Sequence, residues 1–225
     1  MWTILFDIDG TLIRTRGAGF AALQRAMTEL YGIDEIPKVE VRGRTDYGII
    51  GDLFRPFDLD LDSEIDNLKQ RYWEYLPEAL AAGNGILLNG AKELVELLSQ
   101  RSDVALGIIT GNTAKSAEMK LRHFGLDEYF SFGGYGDHDA DRNQVAQLAF
   151  EAAQEQLGAD FDPEKLWMLG DTPNDVRCAR FIGAKVVAVL TGGCGREELT
   201  MAEPDILVPE FSEPRHLVDR MLGEM

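Results

Sequence analysis

The sequence predicts an α/β protein with a Rossmann-like, doubly wound parallel sheet and a small α-helical cap domain inserted after the first strand. Three observations support this prediction: short apolar runs without polar alternation, amphipathic helical patterns between those runs, and one long region in which helices follow each other without a strand. The alternation of strands and helices indicates the sheet, and its interruption indicates the inserted domain.

Four apolar runs are predicted as buried parallel strands: TILFDI (3–8), VALGIIT (104–110), KLWMLG (165–170) and KVVAVL (185–190). Four amphipathic patterns are predicted as helices over residues 91–101, 113–125, 141–158 and 174–184. Because ligands of such sheets bind beyond the carboxyl ends of the strands, the residues that follow each strand are candidates for a site.

The interruption covers residues 15–85, where helical patterns occur at 17–32, 45–55 and 62–83. The last pattern begins with Asp62 or Ser63 as its expected N-cap. We expect residues 1–14 and 86–225 to form an α/β catalytic core and residues 15–85 to form the cap, with hinges near residues 13–19 and 82–87.

Composition and charge argue against several classes of function. The 225 residues are 45% hydrophobic and carry 39 acidic against 22 basic side chains, a net charge of −17. Such a surface repels phosphate backbones, so no nucleic-acid partner is expected. No apolar stretch approaches the roughly 18 residues of a membrane span and the first ten residues contain acids, so we expect a cytoplasmic protein, monomeric or homodimeric, without membrane contact.

Polar and charged residues follow the predicted strands at one edge of the sheet. In chain order they are Asp7 and Asp9, then Thr110, Gly111 and Asn112, then Arg142 at the start of a helix, then Asp171 and Asp175. Strand alternation would direct Asp7 and Asp9 to the same side. Up to four carboxylates in one crevice are costly without a cation, and Mg²⁺ prefers oxygen ligands. Carboxylates, a metal, a cationic group and a hydroxyl donor together indicate phosphoryl transfer.

These motifs resemble the four ordered motifs of the haloacid dehalogenase-like hydrolase superfamily. The matching features are DxDGT at 7–11, a strand that ends in Thr110, a basic residue that opens a helix, and GDxxxD at 170–175. The inserted helices resemble the small cap of the phosphoglycolate-phosphatase-like branch, so the resemblance covers nearly the whole chain. It implies a Mg²⁺-dependent phosphatase acting on a small phosphorylated metabolite of the phosphoglycolate or sugar-phosphate type.

The resemblance also implies a role for each motif residue. Asp7 would be the nucleophile that forms an aspartyl-phosphate, and Asp9 would be the general acid and then the general base. The residues implied to hold Mg²⁺ are Asp7, Asp9 through its backbone carbonyl, Asp171, and Asp175 as a direct or outer partner. The residues implied to bind the transferring phosphoryl group are Thr110, Gly111, Asn112 and Arg142.

Some assignments depart from the family pattern or stay open. The family has lysine where this chain has Arg142, and Lys165 begins a strand at the opposite end from the site. Arginine remains charged and binds oxyanions through two donors, so it can replace the lysine. Asn112 either caps the helix that begins near residue 113 or touches substrate.

In the cap, the segment VRGRTDYG (41–48) is either a substrate-selecting loop or a solvated turn. In the first case Arg42, Arg44 and Thr45 would contact the rest of the substrate; in the second, Asp46 would cap a helix.

Three alternative functions fit parts of the sequence. A phosphomutase would use the same aspartates but return the phosphoryl group to the substrate. A dehalogenase needs no metal, and the carboxylates of Asp9 and GDTPND at 170–175 argue against it. A non-catalytic binding protein could keep the fold, although aspartates occupy all the expected positions.

Overall fold

The computed structural model describes residues 1–223, and its central feature is a six-stranded sheet. The strands in chain order are β1 (Trp2–Phe6), β2 (Ile13–Arg14), β3 (Ile86–Leu87), β4 (Val104–Thr110), β5 (Phe132–Tyr135), β6 (Leu166–Gly170), β7 (Lys185–Val189) and β8 (Ile206–Val208). The main sheet has the order β5-β4-β1-β6-β7-β8, and all of its neighbouring strands are parallel. β2 and β3 form a separate antiparallel ribbon.

Nine α-helices lie within residues 1–223. They are α1 (Ala18–Tyr31), α2 (Asp46–Phe54), α3 (Leu61–Ala82), α4 (Ala91–Ser99), α5 (Ala114–His123), α6 (Arg142–Leu157), α7 (Pro173–Phe181), α8 (Arg196–Met201) and α9 (Pro214–Leu222). Short 3₁₀ turns connect several of them.

Strand β1 is buried on both faces because its alternate side chains enter two different cores. Ile4 and Phe6 join a cluster with apolar residues of α4, α5 and α9. Leu5 joins a second cluster, on the other face, with residues of α6 and α7. Helices therefore cover both faces of the parallel sheet, and the predicted α/β fold class is confirmed.

Helices α1, α2 and α3 pack around a third cluster, separate from the two sheet cores, which includes Leu53, Leu68 and Tyr72. This helical unit is joined to the sheet through the β2–β3 ribbon, in which Ile13 pairs with Leu87. The predicted cap limits, residues 15–85, fall just inside this ribbon.

The structure differs from the sequence predictions in several elements. β1 ends at Phe6 rather than at residue 8, the N-cap of α3 is Asp60 rather than Asp62 or Ser63, and β5, β8, α8 and α9 were not predicted. The Asp60 carboxylate accepts the Ser63 N–H, which is the usual N-cap bond. Within residues 1–223, no helix is both long enough and apolar enough to span a membrane.

Candidate active site

A cavity of about 380 Å³ lies between the carboxyl edge of the sheet and the cap helices. The core contributes the residues that follow β1, β4 and β6, and the cap contributes residues of α1, α2, α3 and the loop before α2. The parallel topology brings the strand ends to one edge, as expected, and the three helices of the cap unit close the other side.

Asp7, Arg142 and Asp175 form a buried charged cluster at the floor of the cavity. Arg142 Nη2 donates to Asp175 Oδ1 at 2.6 Å and, over a longer 3.4 Å, to Asp7 Oδ1. The side chains of Asp7 and Arg142 are each 8% exposed, and that of Asp175 is 1% exposed. Arg142 Nε is buried and has no hydrogen-bond partner among the described residues, so the guanidinium group is not fully paired within the protein.

Asp171 completes the cluster from the loop after β6. Its Oδ1 accepts a 3.3 Å hydrogen bond from Thr11 Oγ1. Gly10 and Gly192 lie so close that a Cβ atom would come within 2.5 Å and 1.5 Å, respectively, of Asp171 Oδ2. Gly10 also has φ of 89°, which favours glycine. These glycines leave room for the carboxylate in a tight backbone cradle.

Two carboxylates of this cluster, those of Asp7 and Asp171, resist ionisation. Burial, with the nearby charges of Asp175 and Asp9, raises the pKa of Asp7 to about 7, although Arg142 opposes the rise. Burial and the charges of Asp175 and Asp7 raise the pKa of Asp171 well above its usual range. The ionised cluster would therefore carry more negative charge than the guanidinium group of Arg142 can balance.

Asp175 is occupied by hydrogen bonds within the protein. Its Oδ2 accepts from the backbone N–H groups of Asp171 and Thr172 and from Thr172 Oγ1, and its Oδ1 accepts from Arg142. Together with the Thr172 side chain it forms the capping box at the start of α7. Asp175 therefore fixes the loop that carries Asp171 and orients Arg142.

One carboxylate oxygen from each of Asp7, Asp171 and Asp175 lies within 4.8 Å of the other two. Three buried oxygen donors with a deficit of positive charge fit a hard divalent cation. The cluster could therefore hold a metal.

Asp9 faces a different set of partners from Asp7. Because β1 ends at Phe6, strand alternation does not extend to Asp9, but Asp7 and Asp9 both line the cavity. Asp9 Oδ2 contacts Lys120 Nζ at 2.5 Å and accepts from Asn112 Nδ2 at 2.8 Å. Its Oδ1 accepts a 3.5 Å bond from Thr15 Oγ1.

The loop after β4 supplies hydroxyl and amide groups to the cavity. Thr110 Oγ1 accepts from the backbone N–H and from Nδ2 of Asn112, which leaves the Thr110 hydroxyl hydrogen for another acceptor. Thr113, not Asn112, caps α5 through the Ser116 N–H. Of the two alternatives for Asn112, the structure places it in the site, against Asp9.

The cap residues Arg42, Arg44 and Thr45 have different contacts. Thr45 is the N-cap of α2, and its buried hydroxyl accepts from the Gly48 N–H. Arg44 lines the cavity but binds Asp52 and the Gly48 carbonyl, within the cap itself. Arg42 also lines the cavity and is exposed, with an ion pair to Glu40.

Asp46 does not cap α2; its carboxylate accepts from the Thr113 N–H at 2.8 Å and the Ser116 hydroxyl at 3.1 Å, at the start of core helix α5. The carboxylate of Asp46 therefore links the helical unit to the start of a core helix that Thr113 caps.

Lys120 is a site residue that the sequence analysis did not identify. It lies on α5 between the core-facing residues Ala117 and Leu121, where its buried side chain reaches Asp9 and Asn112. A lysine on the apolar face of an otherwise amphipathic helix was the available signal. Lys165 is far from this edge: it pairs with Asp162 and lies over the ring of Trp2.

The chain is similar in sequence and in fold to known proteins. Residues 4–189 match the family model of haloacid dehalogenase-like hydrolases. A phosphoglycolate phosphatase of Synechococcus elongatus is 29% identical over 228 residues and spans 100% of both chains. Pyrophosphatase PpaX of Bacillus pumilus is 25% identical over 94% of this chain and 93% of its own length. The crystal structure of CbbY from Rhodobacter sphaeroides in complex with phosphate has a TM-score of 0.71 at 22% identity, over 95% of this chain and 96% of that chain.

The family model covers most of the chain, and the curated relatives are matched along nearly their full lengths. The resemblance expected from the four motifs is therefore confirmed. The chain belongs to the haloacid dehalogenase-like hydrolase family, in its phosphoglycolate-phosphatase-like branch.

Proposed function

We propose that this chain is a Mg²⁺-dependent phosphatase that hydrolyses a small phosphorylated metabolite through an aspartyl-phosphate on Asp7. The observation that carries the proposal is the buried cluster of Asp7, Asp171, Asp175 and Arg142 beside Asp9, at the bottom of a cavity closed by the cap. Asp7 lies beside the guanidinium group of Arg142, and the partly exposed carboxylate of Asp9 lines the same cavity.

The first step forms the covalent intermediate. A carboxylate oxygen of Asp7 attacks the phosphorus atom, and the bond between phosphorus and the leaving oxygen breaks. Asp9 gives its proton to that oxygen, so that the leaving group departs as an alcohol. The guanidinium group of Arg142 and the Thr110 hydroxyl both line the cavity and would donate to the oxygens of the transferring phosphoryl group.

The second step restores the enzyme. Asp9, now ionised, accepts a proton from a water molecule, and that water attacks the phosphorus atom of the acyl phosphate. The bond between phosphorus and Asp7 breaks, which releases inorganic phosphate and the Asp7 carboxylate. The cap helices exclude other water from the cavity while the intermediate exists.

Asp7, Asp171 and the backbone carbonyl of Asp9 would hold Mg²⁺ directly, with Asp175 as the outer partner because its oxygens are already bonded. The ion would offset negative charge on the phosphoryl oxygens and on the Asp7 carboxylate.

The substrate we propose is phosphoglycolate or a sugar phosphate. A cavity of about 380 Å³ suits a phosphorylated metabolite of a few carbons. Arg42, exposed at the cavity wall, is the cap residue we propose to contact the rest of such a substrate. Residues 15–85 would act as the cap that opens and closes over it.

The test is release of inorganic phosphate from a panel of phosphorylated metabolites with Mg²⁺, with Asp7→Asn as the blank. We expect release that stops in EDTA and returns when Mg²⁺ is added. A phosphomutase would instead convert a sugar phosphate into an isomer with little release. A metal-independent dehalogenase would release halide in EDTA, and a non-catalytic protein would show no turnover.

A further inference from the structure

Lys120 has no role in the steps described above, although its position is unusual. Its side chain is 6% exposed, on a helix whose neighbouring residues Ala117 and Leu121 belong to the apolar core. Lysine is almost never buried to this extent unless a partner compensates for its charge. The partners of Lys120 therefore indicate what the residue does.

Lys120 Nζ lies between two groups of the candidate site. It is 2.5 Å from Asp9 Oδ2 and 2.6 Å from Asn112 Oδ1. The amide nitrogen of Asn112 donates to the same Asp9 Oδ2 at 2.8 Å. The three side chains form a closed ring, in which Asp9 Oδ2 receives two donors.

The two oxygens of Asp9 thus differ. Oδ2 is held by Lys120 and Asn112, whereas Oδ1 has one contact among the described residues, the 3.5 Å hydrogen bond from Thr15. The Asp9 side chain is 38% exposed and lines the cavity. A carboxylate held through one oxygen presents the other in a defined direction.

We propose that Lys120 is a positioning residue that fixes Asp9 Oδ2, so that Oδ1 is the oxygen that exchanges the proton with the leaving group and with water. This inference rests on the proposed function, in which Asp9 is the general acid and base. In this role Lys120, which also lines the cavity, acts through Asp9.

The cap holds the helix that carries Lys120. Asp46 accepts hydrogen bonds from the Thr113 N–H and the Ser116 hydroxyl at the start of α5, about two turns before Lys120. Trp73 Nε1 of α3 also donates to Thr113 Oγ1, at 3.0 Å. Both units therefore contribute to the position of the Lys120 ammonium group.

The test compares two esters that differ in their need for an acid. Release of p-nitrophenol from its phosphate needs little protonation because the leaving phenolate is stable, whereas an alkyl phosphate such as phosphoglycolate needs a well-placed acid. We expect Lys120→Met to lower kcat/KM for the alkyl ester by about 100-fold, the size typical of a misplaced catalytic group. The loss for p-nitrophenyl phosphate should stay below about 10-fold.

The controls separate positioning from general damage. Lys115→Met removes an exposed lysine of the same helix, paired with Glu118, and should leave both esters unchanged. Lys120→Arg retains a charged donor and should recover most of the selectivity between the esters. If Lys120→Met does not fold, Lys120→Gln provides the same comparison with a smaller change.

An equal loss for both esters, or no loss for either, would overturn the inference. A wild-type protein that releases phosphate from neither ester would instead overturn the proposed function, so the two failures are distinguishable.

Discussion

Replacing Asp7 with asparagine is expected to stabilise the metal-free protein at neutral pH, even though it should abolish turnover. Burial and the charges of Asp175 and Asp9 raise the pKa of Asp7 from 3.8 to about 7. A difference of one pH unit between the pKa of a group in the folded state and its pKa in the unfolded state corresponds to about 1.4 kcal/mol. The ionised Asp7 therefore lowers the folding stability by about 4 kcal/mol. Asparagine has nearly the same shape and carries no charge.

The direction in which folding stability changes with pH follows from the protons that Asp7 binds in the folded and unfolded states. Below about pH 4 the carboxyl is protonated in both states, and Asp7 carries no penalty. As pH rises towards 7, the unfolded chain has released the proton while the folded chain still holds it, so folding stability falls. The advantage of Asp7→Asn should therefore be about 1.5 kcal/mol at pH 5 and up to about 4 kcal/mol above pH 7.

The assay is denaturant and thermal unfolding in EDTA at pH 5 and pH 8. For a chain of this size, about 4 kcal/mol corresponds to a Tm difference on the order of 8 to 16 °C. Mg²⁺ should then stabilise the wild type at pH 8 and have a much smaller effect on Asp7→Asn. The matched control is Asp9→Asn, which should lose stability because Lys120 stays buried without its carboxylate partner.

The reasoning would be refuted if Asp7→Asn were no more stable than the wild type at pH 8 in EDTA. A gain that did not depend on pH would equally contradict it, because the proposed cause is the ionisation of Asp7.

Three further predictions concern activity and the cap. Arg142→Ala should lower kcat/KM at least about 100-fold because it removes the buried phosphate donor, whereas Arg142→Lys should retain part of the activity; steady-state kinetics measure both. Gly111→Ala should lower kcat/KM about 10-fold or more, since its Cβ would lie 1.9 Å from the Arg44 carbonyl and would displace the cap loop; full activity would contradict this packing. Arg42→Ala should raise KM with an unchanged Tm, whereas Arg44→Ala should lower Tm by a few degrees because it removes the partly buried ion pair with Asp52, which keeps only the exposed Arg55.

The sequence was sufficient to predict the sheet and much of the site because both depend on local pattern. The β4 run has the bounds that were predicted, Val104–Thr110, since a continuous apolar strand ends sharply at polar residues. Asp7 and Asp171 follow parallel strands and Thr110 ends one, so topology alone brings them to one edge. Strand β5 was missed because its sequence, FGGY, has two glycines and a weak strand pattern.

The features that were not predicted depend on tertiary contacts. Lys120 reaches Asp9 because α5 is rotated to direct this side chain towards the end of β1 and lies close enough to it. The spacing of residues in the sequence predicts neither the rotation of the helix nor this distance. Asp46 bonds to the start of a helix that begins nearly seventy residues later in the chain, and a local capping rule contains no information on such a contact. The ion pair between Arg44 and Asp52 likewise depends on the folded position of α2.

The most direct test of Asp7 as the nucleophile is to trap the covalent intermediate. Protein in turnover with Mg²⁺ and a hydrolysed phosphate ester is quenched and treated with borohydride, which reduces an acyl phosphate to the alcohol, and its peptides are then read by mass spectrometry. We predict homoserine at position 7, dependent on both substrate and Mg²⁺ and absent from Asp7→Asn. Homoserine at Asp9 or at another aspartate, or an unmodified Asp7 in protein that is turning over, would contradict the account.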